Sequence, residues 1–332
     1  MARIAFVTGG TGFLGQNLIE RLLEGDWRVV ALHRPTSDVS VLRRFPDERV
    51  TLAEGSIHDR ASLERAIPEG ADAVFHVAAN TSMWRVKQDE QARDNVDGTR
   101  NVVEAAIARR ARRLVHTSSI AAFGQGHTRP VTEETPSTAD RSWIPYARTK
   151  WLADQEVRKG AARGGLETVI LHPAGIIGRY DRHGWARVIA LVWTGKLPGV
   201  PPGYGSFCHA AEVARAHVAA ADRGRPGEGY LLGGADASFL ELVQTVGRVL
   251  GRPVPTRTVP AWVLRTYARL AYWGSLVTRR EPQVTPEGVE LACRRQACVS
   301  AKAERELGYR PVPLAVMVED CRRWMSEAGL LK

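Results

Sequence analysis

No run of eighteen uncharged apolar residues occurs in this 332-residue chain, so no membrane-spanning helix is expected. Cysteine is scarce. Cys208, Cys293, Cys298 and Cys321 are the full set, and none stands in CxxC or Cys/His ligand spacing. That argues against a disulfide framework and against a structural metal, and the expectation is buried thiols in a reduced, cytoplasmic setting. Internal repeats and low-complexity tracts are absent, which removes solenoids and disordered tails. No basic leader precedes the apolar residues 4–7, and no cleaved signal is expected. A basic stripe with interleaved aromatics is missing as well. The net charge is +10, but the arginines are spread along the whole chain in nothing longer than pairs such as Arg109-Arg110 and Arg112-Arg113. Such a surface does not read nucleic acid, although it favours the approach of an anionic dinucleotide.

What is present is a globular composition, 44% hydrophobic and 25% charged, at a length that buries a large core. The first half alternates strand and helix patterns. Strands are predicted at residues 4–8, 28–33, 50–53, 73–77, 114–117 and 168–172, and helices at 13–24, 59–66, 95–109 and 146–160. Six strands joined in this way predict an α/β fold of Rossmann type, a doubly wound parallel sheet with helices on both faces. After Pro173 the alternation stops. Residues 196–205, rich in Pro and Gly, read as loop, and 212–221, 239–250, 261–276 and 314–328 read as helices. The expected division is a dinucleotide-binding domain over residues 1–175 and a smaller, mainly helical substrate lobe over 176–332. A segment near 209–235 is expected to return to the first domain.

Val7-Thr8-Gly9-Gly10-Thr11-Gly12-Phe13-Leu14-Gly15 follows the first strand and opens the first helix. In this GxxGxxG spacing one glycine permits the tight turn, one lets backbone amides approach a pyrophosphate, and the third allows helix and strand to pack closely. The helix N-terminus adds partial positive charge. Thr11, Phe13 and Leu14 belong to the same candidate cofactor loop. The second strand ends in His33-Arg34, with Thr36 and Ser37 beyond, where an NAD-specific site places Asp or Glu for the ribose 2′-hydroxyl. Arg34 suits a 2′-phosphate instead. A charge-assisted bond of about 1.5–3 kcal/mol favours NADP(H) by roughly ten- to a hundred-fold. An arginine that only stacks on adenine would leave NAD(H) as the alternative.

Tyr146 and Lys150, four apart, fall on one helix face, and the strand upstream ends in Thr117-Ser118-Ser119. A free tyrosine titrates near 10, too high for proton exchange at neutral pH. An adjacent ammonium favours the phenolate, Lys150 also reaches toward the nicotinamide ribose, and Ser119 donates to a substrate oxygen. The set predicts hydride transfer with Tyr146 as acid/base.

These pieces, together with Val74-Phe75-His76-Val77-Ala78-Ala79, Asn95-Val96-Asp97-Gly98-Thr99 and His172-Pro173-Ala174-Gly175, resemble the extended short-chain dehydrogenase/reductases over essentially the full chain. Within that family the chain most resembles the dihydroflavonol-4-reductase-like branch, which includes bacterial aldehyde and ketone reductases and relatives of 3β-hydroxysteroid dehydrogenases. The resemblance implies that Ser119, Tyr146 and Lys150 are catalytic, Ser119 being preferred to Ser118 because it lies five residues before Gly124. It also implies that Ala78 and Ala79 line the cofactor, that Pro173 to Ile176 flank the nicotinamide, and that a homodimer forms through the helices containing Asn95 and Tyr146. Three departures stand out. The adenine element reads Gly55-Ser56-Ile57, so Ser56 and Ile57 bind there without the family's acidic residue. Ile120-Ala121 replaces the Asp-Glu of sugar-nucleotide dehydratases. Gly124 replaces the Asn of plant dihydroflavonol reductases, which counts against a flavonoid substrate.

His76, His116 and His172 lie in apolar strands and read as core histidines. Asn95 is expected to cap its helix or to act near Lys150, and Trp84 to pack or to face the substrate. Residues 260–280 hold Trp262, Tyr267, Tyr272 and Trp273 among four arginines. They are expected to pack on the second lobe, a membrane interface being the alternative. The function expected from all this is NADP(H)-dependent reduction of a ketone or aldehyde, or oxidation of the alcohol, of a mainly apolar small molecule. The rivals are an NAD-dependent nucleotide-sugar epimerase, a 3β-hydroxysteroid-type dehydrogenase, and a non-catalytic dinucleotide sensor, which the retained Tyr/Lys pair disfavours.

Overall fold

The apolar runs of the first half have no polar face, and only a sheet covered on both sides buries such strands. In the computed structural model, which describes residues 2–331, that sheet has seven parallel strands. They are β1 (Arg3–Thr8), β2 (Trp27–His33), β3 (Val50–Glu54), β4 (Ala73–His76), β5 (Arg113–Thr117), β6 (Glu167–Pro173) and β9 (Gly229–Leu232). The order across it is β3-β2-β1-β4-β5-β6-β9, with Val7 beside Ala31 on one side and Phe75 on the other. β9 closes the far edge, Ile170 pairing with Gly229.

One face carries α1 (Phe13–Leu23), α7 (Ala210–Arg223) and α11 (Ala301–Leu307). Their Leu18, Leu22, Val213 and Leu307 pack on Val7, Phe75 and Val115. The other carries α2 (Arg60–Ala66), α4 (Gly98–Ala108) and α5 (Pro145–Ala162), with Val102, Ala106 and Val157 against Phe6, Val74 and Ile170. The helix predicted from residue 95 starts earlier. A short α3 (Gln88–Ala92) runs into a wide π-turn at Arg93–Asp97 and then into α4. Asn95 therefore sits inside a helical run and caps nothing.

The second lobe is mixed rather than mainly helical. β7 (Gly175–Ile177), β8 (Tyr204–His209), β10 (Ala235–Ser238) and β11 (Arg295–Gln296) make a second sheet around β8. These strands are two to six residues long and are paired from far apart in the chain, so no local period announced them. Around them pack α6 (Ala186–Trp193), α8 (Phe239–Leu250) and α12 (Leu314–Glu327), through Ile189, Leu242, Val246 and Met317. α9 (Ala261–Thr278) and α10 (Pro286–Ala292) complete the lobe. Among the described residues no helix is long and apolar enough to cross a membrane.

The third glycine of the first loop shows how tightly helix and strand meet. A Cβ on Gly15 would lie 2.1 Å from the Gly9 carbonyl oxygen and 2.8 Å from Gly10 Cα, both backbone atoms that cannot swing away. Gly15→Ala should therefore lower the unfolding free energy by about 1–3 kcal/mol or more, read by urea titration; unchanged stability would contradict this contact.

Candidate active site

The strand order reverses between β1 and β4, and in such sheets ligands bind outside the carboxyl ends of the strands at that reversal. The two ends are held close together. Thr8 Oγ1 accepts the amides of Val77 and Ala78, each at 3.2 Å. Gly9 turns with φ +72°, and a Cβ there would lie 2.7 Å from the Ala78 nitrogen. Gly12 is the exposed N-cap of α1 and makes no side-chain cap. Nothing but the Gly9 carbonyl comes within 4 Å of where its Cβ would be. The first-turn amides of α1 thus face open space, the arrangement a phosphate needs. Thr11 and Phe13 are partly exposed beside it, and Leu14 is buried in the core.

Arg34 is exposed just past β2, in a turn closed by the Ser37 amide on the Arg34 carbonyl at 2.9 Å. Among the described residues its guanidinium has no partner. Ser56 and Ile57 are fixed by their backbones, the Ser56 amide donating to Ser62 Oγ at 3.0 Å and the Ile57 carbonyl accepting from Asn101 at 2.9 Å. Ala78 is partly exposed and Ala79 fully so, while Pro173 is buried at the end of β6 and Ile176 lies partly exposed in β7.

A polar belt ties this edge together. His58 Nε2 lies 2.9 Å from Asp94 Oδ1, and Asp94 Oδ2 accepts from Asn80 Nδ2 at 2.8 Å. Asn95 Oδ1 accepts the Asn80 amide at 2.7 Å, and Asn95 Nδ2 donates to Thr149 Oγ1 at 3.2 Å. Asn95 therefore positions the loop after β4 against α5. A role for Asn95 near Lys150 was one of two expectations, the other being a helix cap; the partners Asp94, His58 and Thr149 carried no signal in the sequence.

Pro145 opens α5, and Tyr146 follows in its first turn. The Tyr146 hydroxyl is hydrogen-bonded to Ser119 Oγ, which also accepts the Ala121 amide at 3.2 Å. Ser118 is buried, and its hydroxyl has no partner among the described residues. Lys150 is buried one turn on and donates from Nζ to the Thr117 carbonyl at 2.9 Å. Burial pushes the Tyr146 phenol above its ordinary 10, and the Ser119 bond offsets only part of this. The lowering expected from Lys150 is not found, and desolvation sets the direction. Burial also brings Lys150 down from 10.5 to about 8, against the pull of Asp154. Gly124 holds φ +82°, and a Cβ there would meet Thr138 Oγ1 at 2.2 Å, so no larger residue fits.

Beneath Lys150 lies a buried polar cluster. Asp154 Oδ2 lies 2.9 Å from His172 Nε2, and Asp154 Oδ1 lies 3.6 Å from His116 Nε2. His76 bridges Thr8 Oγ1 at 2.8 Å and Thr99 Oγ1 at 2.9 Å. With both Thr8 lone pairs taken by amides, its hydroxyl donates to His76 Nδ1, and His76 Nε2–H donates to Thr99. Thr99 passes its own proton to the Asn95 carbonyl at 2.6 Å. His217 Nδ1–H donates to the Val213 carbonyl at 2.8 Å, and Nε2 accepts from Thr117. Every bond of His76 and His217 in these chains is made by a neutral ring. Asp154 was not singled out from the sequence, although its place four residues after Lys150 puts it on the same helix face.

One open alternative closes and one expectation changes. Trp84 is buried and its indole donates to Ser275 Oγ at 3.2 Å, so it packs under α9 rather than facing the crevice. In α9 itself only Ala268 and Ser275 are buried, whereas Trp262, Tyr267 and Trp273 are 70%, 57% and 66% exposed. The small residues of the helix face inward together with Tyr272, which lies under Arg85, so of the four aromatics Trp262, Tyr267 and Trp273 do not pack on the lobe.

Burial holds His76 at about 3, His217 at about 4, and His116 well below 6.5. All three stay neutral when folded and take a proton once unfolded below about 6.5, so stability is complete above that pH and falls below it. Urea titrations between pH 6.5 and 5 should show unfolding coupled to uptake of about three protons, on the order of 4 kcal/mol per pH unit at the steepest. A flat profile would contradict neutral rings.

The chain matches the NAD dependent epimerase/dehydratase family over residues 5–233. A Synechocystis sp. protein provisionally named a dihydroflavonol 4-reductase is 30% identical over 100% of this chain and 97% of its own. The 4-hydroxy-2-methyl-3-oxo-4-farnesyl-3,4-dihydroquinoline-1-oxide ketoreductase of Stigmatella aurantiaca is 31% identical over 92% of this chain and 91% of its own. The solved structure of gox2253 superposes with a TM-score of 0.85 at 30% identity, covering 99% of each chain. The match, the switch-point crevice and the glycine loop agree, and the chain belongs to the NAD-dependent epimerase/dehydratase family of extended short-chain dehydrogenase/reductases.

Proposed function

We propose that the protein is an NADP(H)-dependent reductase of a ketone or aldehyde on a mainly apolar small molecule, running in reverse on the alcohol. The observation that carries this reading is the hydrogen-bonded Ser119–Tyr146 hydroxyl pair at the end of β5, on the same sheet edge as the uncapped start of α1. The open α1 terminus with Gly9, Thr11, Gly12, Phe13, Leu14 and Gly15 fits a pyrophosphate. The unpaired Arg34 guanidinium fits a 2′-phosphate that a carboxylate would repel. Ser56, Ile57, Ala78, Ala79, Pro173 and Ile176 complete the proposed cofactor contacts, toward the adenine and nicotinamide ends respectively.

When bound, the nicotinamide supplies the hydride. Ser119 then donates to the substrate oxygen and orients it, and Tyr146 delivers the proton. A phenol held above 10 starts protonated at neutral pH, which suits the reducing direction. Lys150, a cation below about 8, stabilises the phenolate left behind, and Asp154 sustains that charge. The substrate lobe over residues 176–332, the homodimer through α4 and α5, and a cytoplasmic setting suited to four free cysteines belong to the same proposal. The apolar substrate class is supported by the ketoreductase relative, whose named substrate carries a farnesyl group.

Tyr146→Phe should lower turnover by about 10²–10⁴-fold while leaving NADPH affinity nearly unchanged, measured by stopped-turnover assays beside fluorescence titration. Near-normal turnover would overturn the mechanism. Titration of the purified protein should show exchangeable NADPH bound more tightly than NADH, and Arg34→Ala should remove roughly ten- to a hundred-fold of that preference. Tightly retained NAD would favour the nucleotide-sugar epimerase instead.

A further inference from the structure

The twenty residues 261–280 contain four arginines and no acidic residue. Their helix α9 is turned inside out relative to an ordinary surface helix. At 100° per residue, Ala268, Ala271 and Ser275 share the inner face, while Trp262, Leu270, Trp273, Leu276 and Val277 share the outer one. The outer five are 70%, 66%, 66%, 42% and 85% exposed. Arg265 borders this stripe, Arg269 lies within it, and Arg279 and Arg280 follow its end. Among the described residues, Arg265 alone of the four meets an acid, Glu290 at 3.3 Å. The stripe runs the length of an 18-residue helix, about 27 Å.

The helix is firmly held from below. Trp84 donates to Ser275, Arg85 stacks on Tyr272 at 4.8 Å and pairs with buried Glu287 of α10 at 2.6 Å, and Ser82 donates to Glu281 at 2.9 Å. All three anchors come from the loop that follows β4 at the carboxyl edge of the sheet, the loop that Asn80 ties to Asn95 and α5. A rigid support under an exposed apolar face means that the face is presented, not merely frayed.

We propose that α9 docks on the surface of an anionic lipid bilayer, with its two tryptophans and three aliphatic side chains at the headgroup–acyl boundary and its arginines on anionic headgroups. Tryptophan beside arginine on one face of a helix is the composition that an interface, with one apolar and one wet side, accommodates best. A second copy of the chain is the poorer occupant. A two-fold pairing of this stripe would bring eight arginines together with no acidic residue on the stripe to meet them. The net charge of +10 adds attraction toward the same surface. Docking there also sets the carboxyl edge of the sheet against the lipid, so that an apolar substrate enters from the bilayer; this last clause rests on the reductase reading.

The test uses the full chain with vesicles of phosphatidylcholine alone and of phosphatidylcholine mixed with phosphatidylglycerol. Co-sedimentation should place the protein with the mixed vesicles at low salt, with a blue shift of tryptophan fluorescence, and leave it in the supernatant with the neutral ones. The pair Trp262→Ala and Trp273→Ala should weaken partitioning at least tenfold, and Arg269→Glu with Arg280→Glu should remove the preference for anionic lipid. NADPH titration of each variant, in the absence of vesicles, checks that it is folded. Protein that stays in the supernatant with both vesicle types overturns the proposal. So does a concentration-dependent dimer that the tryptophan variants dissociate without any change in vesicle binding. Loss of NADPH binding or turnover by the unaltered protein strikes the reductase reading instead, and the vesicle result stands apart from it.

Discussion

The hydroxyl of Thr8, fully buried, accepts the amides of Val77 and Ala78 and donates to His76 Nδ1, which fastens the end of β1 to the end of β4 where the sheet reverses. Gly9 follows in a left-handed turn so close to Ala78 that no side chain fits between them. The crevice, the open start of α1 and the placement of Ala78 and Ala79 all depend on this closure. The same hydroxyl reaches further, through His76 to Thr99 and so to the Asn95 carbonyl. Strand ends and helix starts are thereby set relative to one another by bonds to neutral groups, which burial strengthens instead of penalising.

Ionisable groups in the same interior face the opposite balance. Lys150 has one carbonyl partner and a carboxylate one turn away, yet desolvation prevails and its pKa falls. Tyr146 is raised for the same reason. The two shifts move the groups apart in acidity, so the phenol stays a protonated donor at neutral pH while the ammonium beside it persists only below about 8. His116, with neither ring nitrogen hydrogen-bonded among the described residues and Nε2 3.6 Å from Asp154, extends this polar interior behind the lysine.

The two sheets divide the labour of holding the chain. In the large one, parallel strands bring Gly9, Ala78, Ser119 and Pro173 to a single edge although up to 164 residues separate them. The small one gathers β7, β10 and β11 around β8 and so joins the end of β6 to residues near 295. α9 stands outside both, borne on the loop after β4.

Much was legible in the residues themselves. Short apolar runs marked the six strands and period-3.6 patterns the four helices of the first half, because each element buries apolar residues in the core. Glycine spacing marked the candidate phosphate loop because only glycine accepts Gly9's turn and Gly15's contact. Tyr146 and Lys150 declared themselves by lying one turn apart. The short strands of the second lobe did not, since two to six residues show no period and their partners are remote. Asp94, His58 and Asp154 are ordinary charged residues until the fold brings them to Asn80, Asn95 and Lys150. The exposure of Trp262 and Trp273 likewise depends on which face of α9 meets Trp84 and Tyr272. The sequence by itself determined the fold class, the glycine loop and the Tyr146–Lys150 pair, because these rest on patterns among residues near one another in the chain, while Ser119 was chosen through the family resemblance. Only the tertiary structure decided the polar belt, the direction of the pKa shifts and the outward face of α9, because each depends on what distant segments bury.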